Sequence, residues 1–118
     1  MLPLDTDPPE ERRAEPRRIC HHHCLVRFDR QYLDGQPGSV GAPGFLSDIS
    51  PSGVGLHLRP GIPSGATLVI ESLGSSALPL PPAQVVHCVP VDGRWRHGCR
   101  LQRRLTEEEL RDLLAVVP

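Results

Sequence analysis

Two short stretches hold side chains whose types and spacing could do chemistry. The first is "DISPSG", residues 48–53, which sets Asp48, Ser50 and Gly53 in a D-x-S-x-x-G pattern and is followed at once by "VGLHL". An ionised aspartate only accepts hydrogen bonds, a serine hydroxyl both donates and accepts, and glycine lets backbone come close to a neighbour. Asp, Ser, Pro and Gly are also turn formers, Asp and Ser through bonds to their own backbone. The pattern is therefore a plain β-turn or one jaw of a ligand site, and a ligand site needs a second jaw. The second stretch is "ERRAEPRR", residues 11–18, where Arg13 and Arg17 stand as R-x-x-x-R with Arg12 and Arg18 beside them. Arginine presents a planar fork of donors that suits phosphate oxygens or the O6/N7 edge of guanine.

The elements that must position these residues are mostly strands. The chain has 118 residues, which favours one domain, with 14 prolines and 11 glycines that argue for short strands and turns. Residues 1–18 are polar, proline-rich and charged, and read as a flexible arm, residues 1–10 as a disordered tail. "ICHHHCLVRF" (19–28) alternates, with Cys20, Cys24, Val26 and Phe28 on one face and His21, His23 and Arg27 on the other. Residues 34–44 read as a loop. Strands are expected at 45–50 and 53–59, joined by the D-x-S-x-x-G turn, and again at 66–73. Residues 74–82 are a loop or an irregular edge strand, since proline cannot donate to a ladder. Strands at 83–91 and 94–105 flank Asp92-Gly93, a strong hairpin signal. Six short strands of this kind indicate a small antiparallel barrel or sandwich, an all-β class. At the end, Leu110, Leu113 and Leu114 are spaced for a helix, with Thr106 and Glu109 as a capping box. Its leucines are expected over the barrel mouth or against a partner.

Composition excludes several functions. The net charge of −1 argues against a binder of nucleic-acid polymers, so any basic site is local. No apolar run approaches the roughly 18 residues that span a membrane, and the N-terminus does not read as a secretory signal. A cytoplasmic location with reduced Cys20, Cys24, Cys88 and Cys99 is the expectation. "CHHHC" (20–24) invites a metal, yet on a strand Cys20 and Cys24 stand roughly 13 Å apart, too far to share one ion. Cys88, His97 and Cys99 would share one face of the Asp92-Gly93 hairpin, but no C-x-x-C pair accompanies them. No metal, cofactor or catalytic residue is assigned: G-x-S-x-G is absent, and a phosphate loop ending in G-K cannot exist without lysine. Trp95 is expected in the core, and Arg94, Arg96, Arg100, Arg103 and Arg104 on a solvated strand face.

The arginine pair just before the first strand and D-x-S-x-x-G some 30 residues later, in a chain of predicted strands, resemble the PilZ domain, the bacterial receptor module for cyclic di-GMP. The likeness covers residues 11–116, including "DGRWRHGCRL" and the closing helix. It implies a six-stranded antiparallel β-barrel of PilZ type (19–105) with one short C-terminal α-helix (106–116) and a ligand-binding arm (11–18). It also implies that Arg13 and Arg17 hold phosphate and guanine with Arg18 or Arg12 assisting. Asp48 would read a guanine edge, Ser50 would support it or donate to phosphate, and Gly53 would shape the turn, with positive φ open to it. Such a chain is a receptor and adaptor for an unknown protein partner and not an enzyme. The alternative within the same fold is a degenerate interaction module that ignores nucleotide. Pro16 holds the arm extended, and Glu10, Glu11 and Glu15 are placed to neutralise its arginines in the free chain.

Overall fold

The Asp92-Gly93 pair takes φ of 50° and 79°. Positive φ at both centres of a two-residue turn matches the twist of the flanking strands and closes a hairpin on Val91 and Arg94. A computed structural model describes residues 15–71 and 79–115. Its elements are β1 (Arg18–Asp29), α1 (Gln31–Asp34), β2 (Ser39–Ser50), β3 (Gly53–Leu58), β4 (Thr67–Glu71), β5 (Ala83–Val91), β6 (Arg94–Leu101) and α2 (Glu107–Leu114). The tail expected at 1–10, the arm residues Arg12 and Arg13, and the end of the strand expected at 66–73 lie outside the described residues.

All strand pairs are antiparallel, in the order β1-β2-β3-β6-β5-β4, and β4 returns to β1 to close a barrel. Closure gives every strand a neighbour on both sides over at least part of its length. The inward alternation fills the interior: Cys20, Cys24, Val26 and Phe28 from β1 meet Leu46, Ile49, Val54, Leu56, Leu58, Leu68, Ile70 and Val85. His21, His23 and Arg27 are exposed on the outer side, so the barrel wall divides the "CHHHC" cluster. Burial pushes the Cys20 thiol up to about 11 and those of Cys24 and Cys99 to about 12, as expected of small buried hydrophobes rather than reactive thiolates. His97 is fully buried in the core. Its Nε2 accepts the Ile62 N–H at 2.9 Å, which spends the lone pair a metal would need.

Three expectations are corrected. Residues 39–44 are strand rather than loop: β2 starts at Ser39 and pairs along β1 as far as Asp29. Turn-like composition misled here, because β3 pairs with β2 only from Gly44 onward. Pro43, with no N–H to give, sits where β2 has a partner on one side alone. Trp95 is 38% exposed and lies over Gly61, where a Cβ would approach its ring to 2.9 Å. The last strand also stops at Leu101, after which Gln102 N–H donates to the Pro82 carbonyl.

The closing helix forms as its sequence directs. Thr106 Oγ1 accepts from Glu109 N–H (3.0 Å), and Glu109 Oε1 accepts from Thr106 N–H (2.8 Å). Arg103 adds a second tie to Glu109, whose carboxyl is held at about 2. The helix packs on the barrel wall at β1: Leu113 is buried, and His22 Nε2–H donates to the Leu113 carbonyl at 2.6 Å. Thr106→Ala removes one half of the box and should lower unfolding stability by about 1 kcal/mol, with an unchanged m-value in urea denaturation. An unaltered midpoint would mean that the cap does not hold the helix.

Candidate functional site

A β-bulge at Ser47 shifts the phase of β2, so that Leu46 and Ile49 point inward while Asp48 lies on the outer surface. Four strands then bring its neighbours to it. Asp48 pairs with Ile19 on β1 and Gly55 on β3, Gly55 with Gly98 on β6, and Gly98 with His87 on β5. In the adjacent row Ser50 pairs with Gly53, and Gly53 with Arg100. Gly53, Gly55 and Gly98 thus make a glycine floor on the outer wall, over which Asp48 and Arg96 lie at Gly55 and the His87 ring at Gly98.

Asp48 is the centre of this patch. Arg17 Nη1 donates to Asp48 Oδ1 at 2.7 Å, Arg96 Nη2 to Oδ2 at 2.8 Å, and Ser47 Oγ to Oδ2 at 3.2 Å. The side chains of Asp48, Arg96 and Arg17 are 17%, 26% and 44% exposed. Burial would raise the Asp48 pKa, but the Arg17 and Arg96 guanidiniums outweigh it and hold the carboxyl below its ordinary value. The arrangement requires Gly55: a Cβ there would stand 2.5 Å from Asp48 Oδ2 and 2.6 Å from Arg96 Nη2.

A cavity of about 520 Å³ opens beside the pair, a size common for small-molecule sites. Its walls are the arm at Arg17, the turn from Ser50 to Gly53, and β6 from Gly98 to Arg100, with Arg104 at the rim. Ser50 is 5% exposed and its Oγ donates to the Gly53 carbonyl at 3.4 Å, so it holds the turn. Gly53 does not use the positive φ open to it. A Cβ there would lie 2.8 Å from the Cys99 carbonyl oxygen, so its role is close approach between strands. The turn hydroxyls of Ser47, Ser50 and Ser52 donate to Asp48, the Gly53 carbonyl and Glu15. That is a binding arrangement of acceptors and cations.

The structure therefore brings Arg17, Asp48, Ser50 and Gly53 together. Arg18 lines an adjoining groove along α2 instead, and Arg12 and Arg13 lie outside the described residues. Glu15 does not neutralise the arm at Arg17: its carboxylate meets Ser52 and Arg104. The arginine stripe is not simply solvated, since Arg96, Arg103 and Arg104 pair with Asp48, Glu109 and Glu15. Sequence reasoning missed Arg96, Gly55 and Gly98 as site residues. The signal lay in the hairpin: counting back from Asp92-Gly93 sets the β5–β6 register, but nothing local places β6 beside β3.

The sequence model of the PilZ domain matches residues 11–117, and the chain belongs to the PilZ domain family. That family is one of cyclic di-GMP receptors, binding and adaptor modules. A search of curated proteins finds no match. No helix among the described residues is long and apolar enough to cross a membrane.

Asp48 also makes a pH prediction. A carboxyl whose folded pKa is below its ordinary 3.8 contributes stability that is complete above that value and is lost as pH falls through the folded value. The stability difference between the wild type and Asp48→Asn, measured by denaturation from neutral pH down to about 2, should be largest at neutral pH and shrink below about 4. A difference that stays constant would contradict the ion-paired carboxylate.

Proposed function

We propose that this chain is a receptor for cyclic di-GMP, which binds on the outer barrel wall between the arm and the Asp48 turn, and that binding reshapes the arm to regulate a protein partner in the cytoplasm. The observation that carries the reading is the Arg17–Asp48–Arg96 cluster on a glycine floor beside a cavity of fitting size. Cyclic di-GMP brings two phosphates and two guanines. Arg17, with Arg13 and either Arg12 or Arg18 from the arm, supplies forks for phosphate oxygens or the guanine O6/N7 edge. Asp48 uses two acceptor positions on the arginines and one on Ser47, so a guanine N1–H and exocyclic amine are both accepted once Arg17 turns from the carboxylate to the nucleotide. Ser50 keeps the turn in shape, Gly53 keeps the cavity wall low beside Arg17, and Gly55 makes room for the Asp48–Arg96 pair.

Arg96 sits on a strand, not on the arm, and so keeps Asp48 aimed whether or not the arm is docked. It acts as a positioning residue. Calorimetric titration of cyclic di-GMP should give binding that is lost in Arg17→Ala and Asp48→Ala. Arg96→Ala should weaken it by about tenfold, the worth of one charge-assisted hydrogen bond. Absence of heat from the folded wild type, repeated at low salt and by an optical assay, would contradict the receptor reading and leave a PilZ-type interaction module.

A further inference from the structure

Ser52 and Arg104 belong to neither half of the two-jaw motif, yet they converge on one carboxylate. Ser52 Oγ donates to Glu15 Oε1 at 2.5 Å, and the Arg104 guanidinium pairs with Oε2. The Glu15 side chain is only 19% exposed, and its carboxyl is held below the ordinary range by hydrogen bonds from Ser52 and Arg104 against the cost of burial. A hydroxyl and a guanidinium aimed at a single pair of anionic oxygens form an oxyanion subsite. The subsite lies in the wall of the cavity that also presents Arg17 and Arg100. Glu15, Pro16 and Arg104 line a second groove of about 640 Å³ as well, between the arm and Leu110 and Leu114 of α2. The Glu15–Arg104 contact is thus the partition between the two.

We propose that Ser52 and Arg104 form a phosphodiester-binding subsite that the chain's own Glu15 occupies until the dinucleotide displaces it. The inference rests on the receptor reading above and adds two ligand-binding residues and a competitor to it. A phosphodiester offers what the carboxylate offers, two equivalent oxygens sharing one negative charge, so the exchange leaves Arg104 neutralised throughout. Glu15 adjoins Pro16 and Arg17, so its release frees the arm segment that separates cavity from groove. Occupancy of the nucleotide cavity is thereby transmitted to the face of α2.

The test is a thermodynamic cycle by calorimetry, with cyclic di-GMP titrated into the full chain, Glu15→Ala, Arg104→Ala and the double variant, each confirmed folded by thermal melting. Removal of the competitor should tighten binding about two- to five-fold, the range of an ion pair worth up to about 1 kcal/mol. Arg104→Ala should weaken it by about tenfold. In the Arg104→Ala background, Glu15→Ala should have a much smaller effect, because only the Ser52 hydroxyl is left to contest. Ser52→Ala, a smaller change, should weaken binding in the same direction as Arg104→Ala. Weaker or unchanged affinity in Glu15→Ala, or the same effect of that substitution in both backgrounds, would overturn the subsite while leaving the receptor reading intact. No binding by either wild type or Glu15→Ala would overturn both.

Discussion

One carboxylate, that of Asp48, has to stay ionised and correctly aimed on the outside of the barrel, and much of the structure serves that constraint. A half-buried carboxylate held by one cation from a segment outside the barrel would drift or take up a proton as its environment dried. Arg96 prevents this from a rigid position across two strands, and Gly55 opens the space in which the pair fits. Each requirement is met by a different strand. The bulge in β2 turns Asp48 outward, β3 supplies the gap, and β6 supplies the second guanidinium. The closed barrel holds these three in register, and its fully buried aliphatic core makes a register slip costly, because a one-residue slip would turn that core to solvent.

The arm meets the same wall through two ion pairs of different kinds. Arg17 to Asp48 lies over the glycine floor, whereas Glu15 to Arg104 lies at the border with the α2 groove. Exposed pairs of this sort are individually weak, each worth on the order of 1 kcal/mol or less. That weakness suits the proposed release of the arm on binding. The stable parts are elsewhere: α2 is tied by its capping box, by Arg103 to Glu109 and by the buried Leu113, with His22 closing onto its last turn. On the proposed reading, the arm segment at Glu15–Arg17, held by weak pairs beside a closed barrel and a well-tied helix, is where binding becomes a change of surface.

Features that depend on local sequence were legible. Asp92-Gly93 reads as a hairpin because only a few residues tolerate positive φ, and the Thr106/Glu109 box reads as a helix start because its bonds close within one turn. The β1 alternation correctly separated buried cysteines from exposed histidines. What could not be read were consequences of which strand lies beside which. Residues 39–43 look like loop by composition, yet β1 extends them into a strand. Arg96 looks like one more surface arginine until β3 and β6 set it opposite His57 and across from Asp48. Trp95 sits on the inward phase of β6, but near the hairpin end, where Gly61 covers one face and solvent the other. Glu15 was assigned to the nearest arginines in sequence, whereas folding offered it Arg104, 89 residues away.

Binding of cyclic di-GMP to the outer wall around Asp48 would be read residue by residue in an NMR titration with nitrogen-15 label. The arginine Nε–H signals of Arg17 and Arg96 and the backbone amides of Asp48, Gly53, Gly55 and Gly98 should shift together and saturate at one concentration, with β4 and α1 undisturbed. Shifts scattered over the barrel, or a site whose amides remain still at saturating nucleotide, would contradict it.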